Sequence, residues 1–450
     1  MTIGHEDMSV DLPARDEPYD LVGVGAGPAN LALAVALADR TAAGYAPRSL
    51  FCEREPTISW HSGMHVSSTR IQTSFLKDLV TLDNPASRCT FINYLHEHGR
   101  LVDFANLADY RPSRREFEDY LRWVASLLPE LVRFGQEVVR LAPVRGDVAA
   151  DLIEVTVRDR IGGTSRTLLA HNVCIGVGRT AHVPAAVRRL SANVFHTAHL
   201  RARLAPFQEF ADHDWQFAVV GRGQSAGEAI CHLLESFPNA TVTAVSEGFL
   251  FKATDANPFV NDLYTDRGMQ EFLQWPSDKR AHILLEEHDT NYGVVENELL
   301  RHIARLRYAG RVEGRERLVL VPYHRLEHVD ERDARPVVRL RDQFTGEPTE
   351  RTIDGVVLAT GYSDRHLVEL LMPLRPHLCT RESDTDLLIE LDDTHRAITR
   401  GDLAAGVYLL GHARGSHGFT EGTLANLAGP AARIARRLIR EEARRAPTRI

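Results

Sequence analysis

The sequence is poor in cysteine and carries no excess of positive charge, and both shortages narrow what it can be. Five cysteines (Cys52, Cys89, Cys174, Cys231, Cys379) are scattered over 450 residues, with no C-x-x-C pair among them. That spacing argues against a zinc ribbon, a disulfide scaffold and a dithiol reductase, and a reducing, cytoplasmic setting is expected. Lys plus Arg number 53 against 61 Asp plus Glu, a net charge of −8 with histidine neutral. A dedicated nucleic-acid binder would show the opposite balance, so no nucleic-acid partner is expected. The longest apolar stretch, Leu21 to Ala38, is broken by Gly23, Gly25, Gly27, Pro28 and Asn30 and does not read as a membrane span. Met1 to Tyr19 is polar and acidic, without a basic start and apolar run, and residues 1–18 are expected to form a flexible tail. His61 and His65 lack a third ligand at suitable spacing, so no metal is expected. What is present is an ordinary globular balance, 44% hydrophobic and 25% charged, in a chain long enough for two large domains.

Two short segments carry the first chemical signal. Tyr19 to Gly23 reads as a buried strand, Gly25-Ala26-Gly27-Pro28-Ala29-Asn30 as a glycine turn, and Leu31 to Leu37 as an apolar helix. Gly25 permits the tight turn and Gly27 lets a pyrophosphate approach the backbone, facing the helix N-terminus. Asn30 stands where the third glycine of the pattern is usual. A second strand, Ser49 to Cys52, ends in Glu53, an acid placed to bind ribose hydroxyls. The same grammar recurs at Phe217 to Val220, followed by Gly221-Arg222-Gly223-Gln224-Ser225-Ala226-Gly227-Glu228 and a helical run. Two such units predict an α/β chain with two Rossmann-like dinucleotide-binding domains, usually for a flavin and a nicotinamide. The next strand, Thr241 to Val245, is followed by Glu247, which favours NADH, and by Lys252, a candidate cation for the 2′-phosphate of NADPH. Ile353 to Ala359 reads as a further strand ending in Thr360-Gly361-Tyr362, common in flavoproteins that also bind a nicotinamide.

Between and beyond these units lie Trp60-His61-Ser62-Gly63-Met64, Ile71-Gln72-Thr73-Ser74-Phe75-Leu76-Lys77-Asp78-Leu79, Asn257-Pro258-Phe259-Val260-Asn261, Thr290-Asn291-Tyr292 and Ser416-His417-Gly418-Phe419-Thr420. This succession resembles the flavin-dependent N-hydroxylating monooxygenases, the ornithine and lysine hydroxylases of siderophore biosynthesis. The resemblance runs from about Tyr19 to the final helix, and Phe75 to Leu79 is its most specific part. It implies N-hydroxylation of a terminal primary amine: NADPH reduces FAD, O₂ adds at flavin C4a, and the hydroperoxide passes oxygen to the amine. The cofactors then carry the chemistry and no nucleophilic residue is expected. The amine has to be neutral to attack.

Carried over by position, the resemblance implies that Lys77 meets the amino acid's carboxylate, Asn261 its α-amino group and Asn291 the side-chain amine. Gln72 is implied beside the flavin, and Trp60, His61 and Met64 in the segment lining it. The remaining cofactor contacts are expected from Gly25, Gly27, Pro28, Asn30, Glu53, Gly221, Gly223, Gln224, Ser225, Glu228, Lys252, Thr360 and Gly361. The family's C-terminal motif closes on a serine, and here that position is Ala425. This leaves L-lysine or a diamine such as putrescine or cadaverine beside L-ornithine as substrate. Thr290 to Val295 resembles the ornithine branch, and Lys77 argues for a substrate with a carboxylate. Another flavin monooxygenase class is disfavoured, because Phe195-His196-Thr197 lacks the glycine of F-x-G-x-x-x-H, and a nucleotide-binding protein without turnover is a further, less favoured alternative that Ala425 keeps open. The expected organisation is an FAD-binding domain over 19–206 and 351–450, with an NADPH-binding domain over 207–350 inserted in it. Within the insert, about 255–309 is expected to be a helical substrate region. The final helix, with Arg433, Arg436, Arg437, Arg440, Arg444 and Arg445, is expected to have a solvated basic face. A homotetramer is implied by the resemblance alone.

Overall fold

The computed structural model describes residues 17–41, 47–66, 69–144, 149–382 and 387–445. The expected tail falls outside them, apart from its last two residues. Two five-stranded parallel sheets organise the chain. The first runs Gly406–Leu409, Asn172–Ile175, Leu21–Val24, Ser49–Cys52, Val132–Arg133. The second runs Leu318–Val321, Thr241–Val245, Gln216–Val220, Gly355–Leu358, Val194–His196. The α/β class with two Rossmann-like units is therefore as expected. Leu21–Val24 is buried at every position, as a strand covered on both faces must be.

Both units follow one plan. In each, the third strand leads into a three-stranded antiparallel meander, and the meander returns to the strand beside the first. The meanders are Gln136–Pro143, Ile153–Asp159 and Ser165–Ala170 in one unit. In the other they are His324–Arg332, Arg335–Asp342 and Pro348–Thr352.

The unit boundaries differ from those expected. Val194–His196 lies before residue 207 and Gly355–Leu358 after residue 350, yet both pair into the second sheet. The chain crosses between units at Thr180–Ala181 and Tyr362–Ser363, which pair antiparallel. Short apolar strands read alike whichever sheet they join, so composition placed the boundaries 10 to 30 residues off.

Helix Pro28–Thr41 is buried without interruption from Asn30 to Leu37. It lies between the first sheet and the C-terminal helix Ala428–Arg445, whose Ala431, Ile434, Ala435 and Leu438 join the same core. A helix covered on all sides has no reason to be amphipathic. The basic face of the C-terminal helix is not simply solvated. Arg433 pairs with Asp266, Arg436 with Asp83, and Arg437 with Asp392 and Glu441. Between strands Thr241–Val245 and Leu318–Val321 of the second sheet, Val260–Tyr264, Asp266–Gln274, Ser277–Glu286 and His288–Thr290 form successive helical turns, followed by Asn297–Val312. Thr265 caps Asp266–Gln274 by accepting from Gly268 N–H. These turns pack on the C-terminal part of the first unit: Phe419 meets Tyr264 and Phe272, and Arg280 donates to the Ser416 carbonyl. Among the described residues no helix is long and apolar enough to cross a membrane.

Candidate functional site

Ligands of parallel sheets bind outside the carboxyl ends of the strands, and the first glycine turn sits there. Gly25 has φ +85°, and a Cβ on it would lie 2.8 Å from the Gly176 carbonyl oxygen. Only glycine fits there. Gly27 is open, its nearest neighbour 3.9 Å from a built Cβ. Pro28 begins the helix, where its missing N–H costs nothing. Asn30 is fully buried, and its amide donates to the carbonyls of Val24, Gly25 and Cys174 at 3.1, 2.8 and 3.3 Å. It therefore staples the turn to two strands instead of presenting itself to a ligand. Glu53 reaches the turn, accepting from Ala26 N–H at 2.8 Å. An open cradle, a helix N-terminus and a carboxylate beside them fit the pyrophosphate and ribose of a dinucleotide.

The second turn is packed differently. Gly221 has φ +135° and a built Cβ would meet the Ala359 carbonyl at 2.2 Å. Gly223 faces Gly293, 3.7 Å from a built Cβ. The Ser225 hydroxyl has no partner among the described residues. Gln224 and Glu228, expected to touch the cofactor, turn to protein. The Glu228 carboxylate takes both Arg114 guanidinium nitrogens, at 2.7 and 2.8 Å, and accepts from Gln224 at 3.0 Å. Gln224 in turn accepts from Glu296 N–H. Lys252, the expected phosphate cation, is paired with Asp289 at 2.5 Å. Thr360 donates its hydroxyl to the His182 carbonyl, whereas Gly361, at φ +79°, faces open space.

The stretch between the units lines their junction. Trp60 donates its backbone N–H to Glu118, and its ring meets those of His61 and Phe117. His61 lies in the left-handed region at φ 52°, edge-on to Tyr362. The residue is exposed at the surface, with protein packed around its ring. Desolvation there, with the Arg114 and His65 charges, lowers its pKa to about 4. Tyr362 also meets His196, which is buried and lowered to about 4 by desolvation, and which hydrogen-bonds the Gly361 carbonyl. Met64, expected beside the flavin, is 1% exposed in the core of the second unit. Its turn is pressed so closely on Ala198 that Gly63 admits no side chain.

Gln72 is exposed and Lys77 half-buried. The Lys77 ammonium has no partner among the described residues, whereas its neighbour Asp78 is buried and accepts from Val80, Thr81 and Phe91 N–H and from the Thr81 hydroxyl. Asp78 thus fixes the loop from which Lys77 projects. Asn261 is exposed and hydrogen-bonds the Ala256 carbonyl. Asn291 is half-buried in a loop that touches both units: Gly293 abuts the second glycine turn, and Tyr292 lies under Arg414 at 3.7 Å. No hydrogen bond or ion pair among the described residues joins Lys77, Asn261 and Asn291 to one another.

Three contributors escaped the sequence reading. Arg222 lies within the second glycine turn and Arg114 opens helix Arg114–Ser126, and neither was expected to have a role. His395, His417 and Glu421 form a buried cluster. Glu421 accepts from His395 at 2.8 Å and from Gly411 N–H at 3.0 Å, directly after the last strand of the first sheet. Burial opposes its charge, but His395 prevails and lowers it to about 2. An open, mostly apolar hollow of about 320 Å³ between helix Asn297–Val312 and Leu318 is lined by none of these residues.

The L-lysine 6-monooxygenase/L-ornithine 5-monooxygenase family matches residues 17–364. The L-ornithine N(5)-monooxygenase of Burkholderia cepacia is 38% identical over 410 residues, 90% of each chain. The ornithine N-hydroxylase of Kutzneria sp. 744, solved with reduced FAD, NADP⁺ and L-ornithine, superposes with a TM-score of 0.88 at 33% identity. That match covers 95% of this chain and 100% of the other. The L-lysine 6-monooxygenase of Pseudomonas syringae superposes with a TM-score of 0.81 at 28% identity, covering 94% and 99%. With its two nucleotide cradles and the junction between them, the chain belongs to the L-lysine 6-monooxygenase/L-ornithine 5-monooxygenase family of amine N-monooxygenases.

Proposed function

We propose that the protein hydroxylates the terminal amine of L-ornithine, using FAD, NADPH and O₂, to supply an N-hydroxylated building block for siderophore or related biosynthesis. Lys77 is the observation that carries the choice of an amino acid. It is a half-buried ammonium, unpaired among the described residues, on a loop locked by a buried carboxylate, and so a ready partner for a small carboxylate. The two ornithine hydroxylases named above, at 38% and 33% identity against 28% for the lysine enzyme, support ornithine within that class.

Bound FAD supplies oxygen activation. This chain's residues have three tasks around it. The Gly25–Gly27 turn and Glu53 hold the dinucleotide, and the Gly221–Gly223 turn holds the second one. Lys77 and Asn261 orient the amino acid's head, while Asn291 accepts from or donates to its terminal amine. Tyr264, Phe272 and Phe419 form an apolar wall that helps to exclude water. A second reading, lysine or a diamine, is favoured by Ala425, which brings no hydroxyl to the turn Leu424–Asn426. The test is hydroxylamine formation by FAD-loaded protein with NADPH and air over ornithine, lysine, putrescine and cadaverine. Product from ornithine alone supports the proposal. Product from another amine replaces the substrate, and NADPH oxidation without hydroxylation of any amine overturns it. A cytoplasmic homotetramer is the assembly the family resemblance supports, checked by light scattering.

A further inference from the structure

Discrimination of NADPH from NADH needs a cation where the second strand of the nicotinamide unit ends, because the 2′-phosphate lies there. That strand is Thr241–Val245, and the residues after it are Ser246, Glu247 and Gly248. The strand end itself offers an acid, Glu247, which occupies a nearby cation, Arg325, and the one lysine nearby, Lys252, is paired with Asp289. The cation comes instead from the glycine turn. The Arg222 guanidinium leans over the strand end: a Cβ built on Gly248 would lie 3.2 Å from its Nη1, and one on Gly293 3.9 Å from its Nε and Nη2. Two glycines thus leave the corridor in which the side chain runs. Arg222 is half-buried and makes no ion pair, hydrogen bond or ring contact with any described residue. Glu247, in contrast, lies 3.8 Å from Arg325, and its backbone carbonyl accepts from Gln343. The acid that would favour NADH is drawn toward another cation.

We propose that Arg222, in the turn, is the residue that selects NADPH, binding the 2′-phosphate in place of a cation at the strand end. A planar guanidinium presents two donors to one phosphate. This rests on the reading that the second unit takes NADPH. The side chain contributes only to the 2′-phosphate, so its loss leaves the rest of the nucleotide bound as before.

The test uses FAD-loaded protein and two probes that differ by the 2′-phosphate, 2′,5′-ADP and 5′-AMP, titrated by calorimetry. The wild-type chain binds 2′,5′-ADP more tightly. Arg222→Ala loses on the order of 10- to 100-fold in 2′,5′-ADP affinity, the range for one charge-assisted contact, and keeps its 5′-AMP affinity. Arg222→Lys retains part of the preference. Gly248→Asp puts a carboxylate against the guanidinium without touching Arg222, and produces the same selective loss. In flavin reduction, the NADPH-to-NADH ratio falls in parallel. If wild type discriminates and Arg222→Ala discriminates equally well, the assignment to Arg222 is wrong while NADPH use stands. Equal loss toward both probes makes Arg222 a structural residue and overturns the proposal. A wild type that does not distinguish the probes removes the NADPH reading, and the proposal with it.

Discussion

Removing the charge of Glu228 tests whether the two units are held together by one buried ion pair. Arg114 opens helix Arg114–Ser126 of the first unit, and Glu228 lies in helix Gln224–Ser236 of the second. Their two contacts are 2.7 and 2.8 Å, and the side chains are 11% and 5% exposed. Glu228→Gln preserves the shape but strands a guanidinium in a nearly dry site. Breaking such a pair from one side costs about 3–5 kcal/mol. The double variant Arg114→Met/Glu228→Leu leaves no orphan charge and is expected to lose less than Glu228→Gln alone. Urea unfolding followed by tryptophan fluorescence reads both, since Trp60 and Trp123 report the first unit and Trp215 and Trp275 lie in the second stretch. Reduction of bound flavin by NADPH reads the functional side. A 1 Å misplacement of the donor can cost about 100-fold in rate, so Glu228→Gln slows reduction more than it weakens FAD retention. A destabilisation under about 1 kcal/mol, below the range for breaking a buried pair, refutes the latch. So does a double variant that costs the sum of the two singles.

Lys77→Met is expected to raise KM for ornithine about 10- to 100-fold, the value of one charge-assisted contact, and to leave flavin reduction unchanged. An equal loss with putrescine, which has no carboxylate, would count against a carboxylate partner. Asn30→Gly restores the usual third glycine yet removes the amide that donates to three backbone carbonyls, and is expected to lower stability by about 2–3 kcal/mol together with FAD content. Unchanged melting temperature and flavin occupancy would show that the staple is idle. Stability is also expected to fall in mild acid. Burial lowers His196 to about 4 and His417 to about 3, against 6.5 in the unfolded chain. The unfolded chain therefore takes up protons first, so stability is full above about pH 6.5 and is lost as pH falls toward 4. At pH 5 the two groups together withdraw roughly 2–4 kcal/mol, at about 1.4 kcal/mol per pH unit per group. Equal urea midpoints at pH 7.5 and pH 5 would contradict this.

The glycine turns were legible because strand, turn and helix are consecutive, and the constraint on Gly25 or Gly221 is local. Glu53 was legible for the same reason: a strand delivers its last residue to a known place. Glu228 was not, because its partner Arg114 lies in the other unit and no pattern around either residue announces the pairing. The pairing of Lys252 was not legible either, since Asp289 reaches it from a separate loop. Met64 illustrates a different limit. A methionine in a cofactor-lining segment and one in a core look alike in sequence, and only its 1% exposure separates them. The unit boundaries were misplaced because the outer strands Val194–His196 and Gly355–Leu358 are apolar runs whose sheet is decided by pairing, not composition.

The antiparallel ribbon of Thr180–Ala181 with Tyr362–Ser363 brings the two ends of the nicotinamide unit side by side. A unit whose ends meet can be inserted into a host with little change to the host's path. The ribbon thus makes residues 182–361 a transplantable module whose two chain connections lie side by side. A graft at that ribbon would have to carry the Asp266–Glu286 turns and an acid in register with Arg114, because those are where the module has become specific to its host.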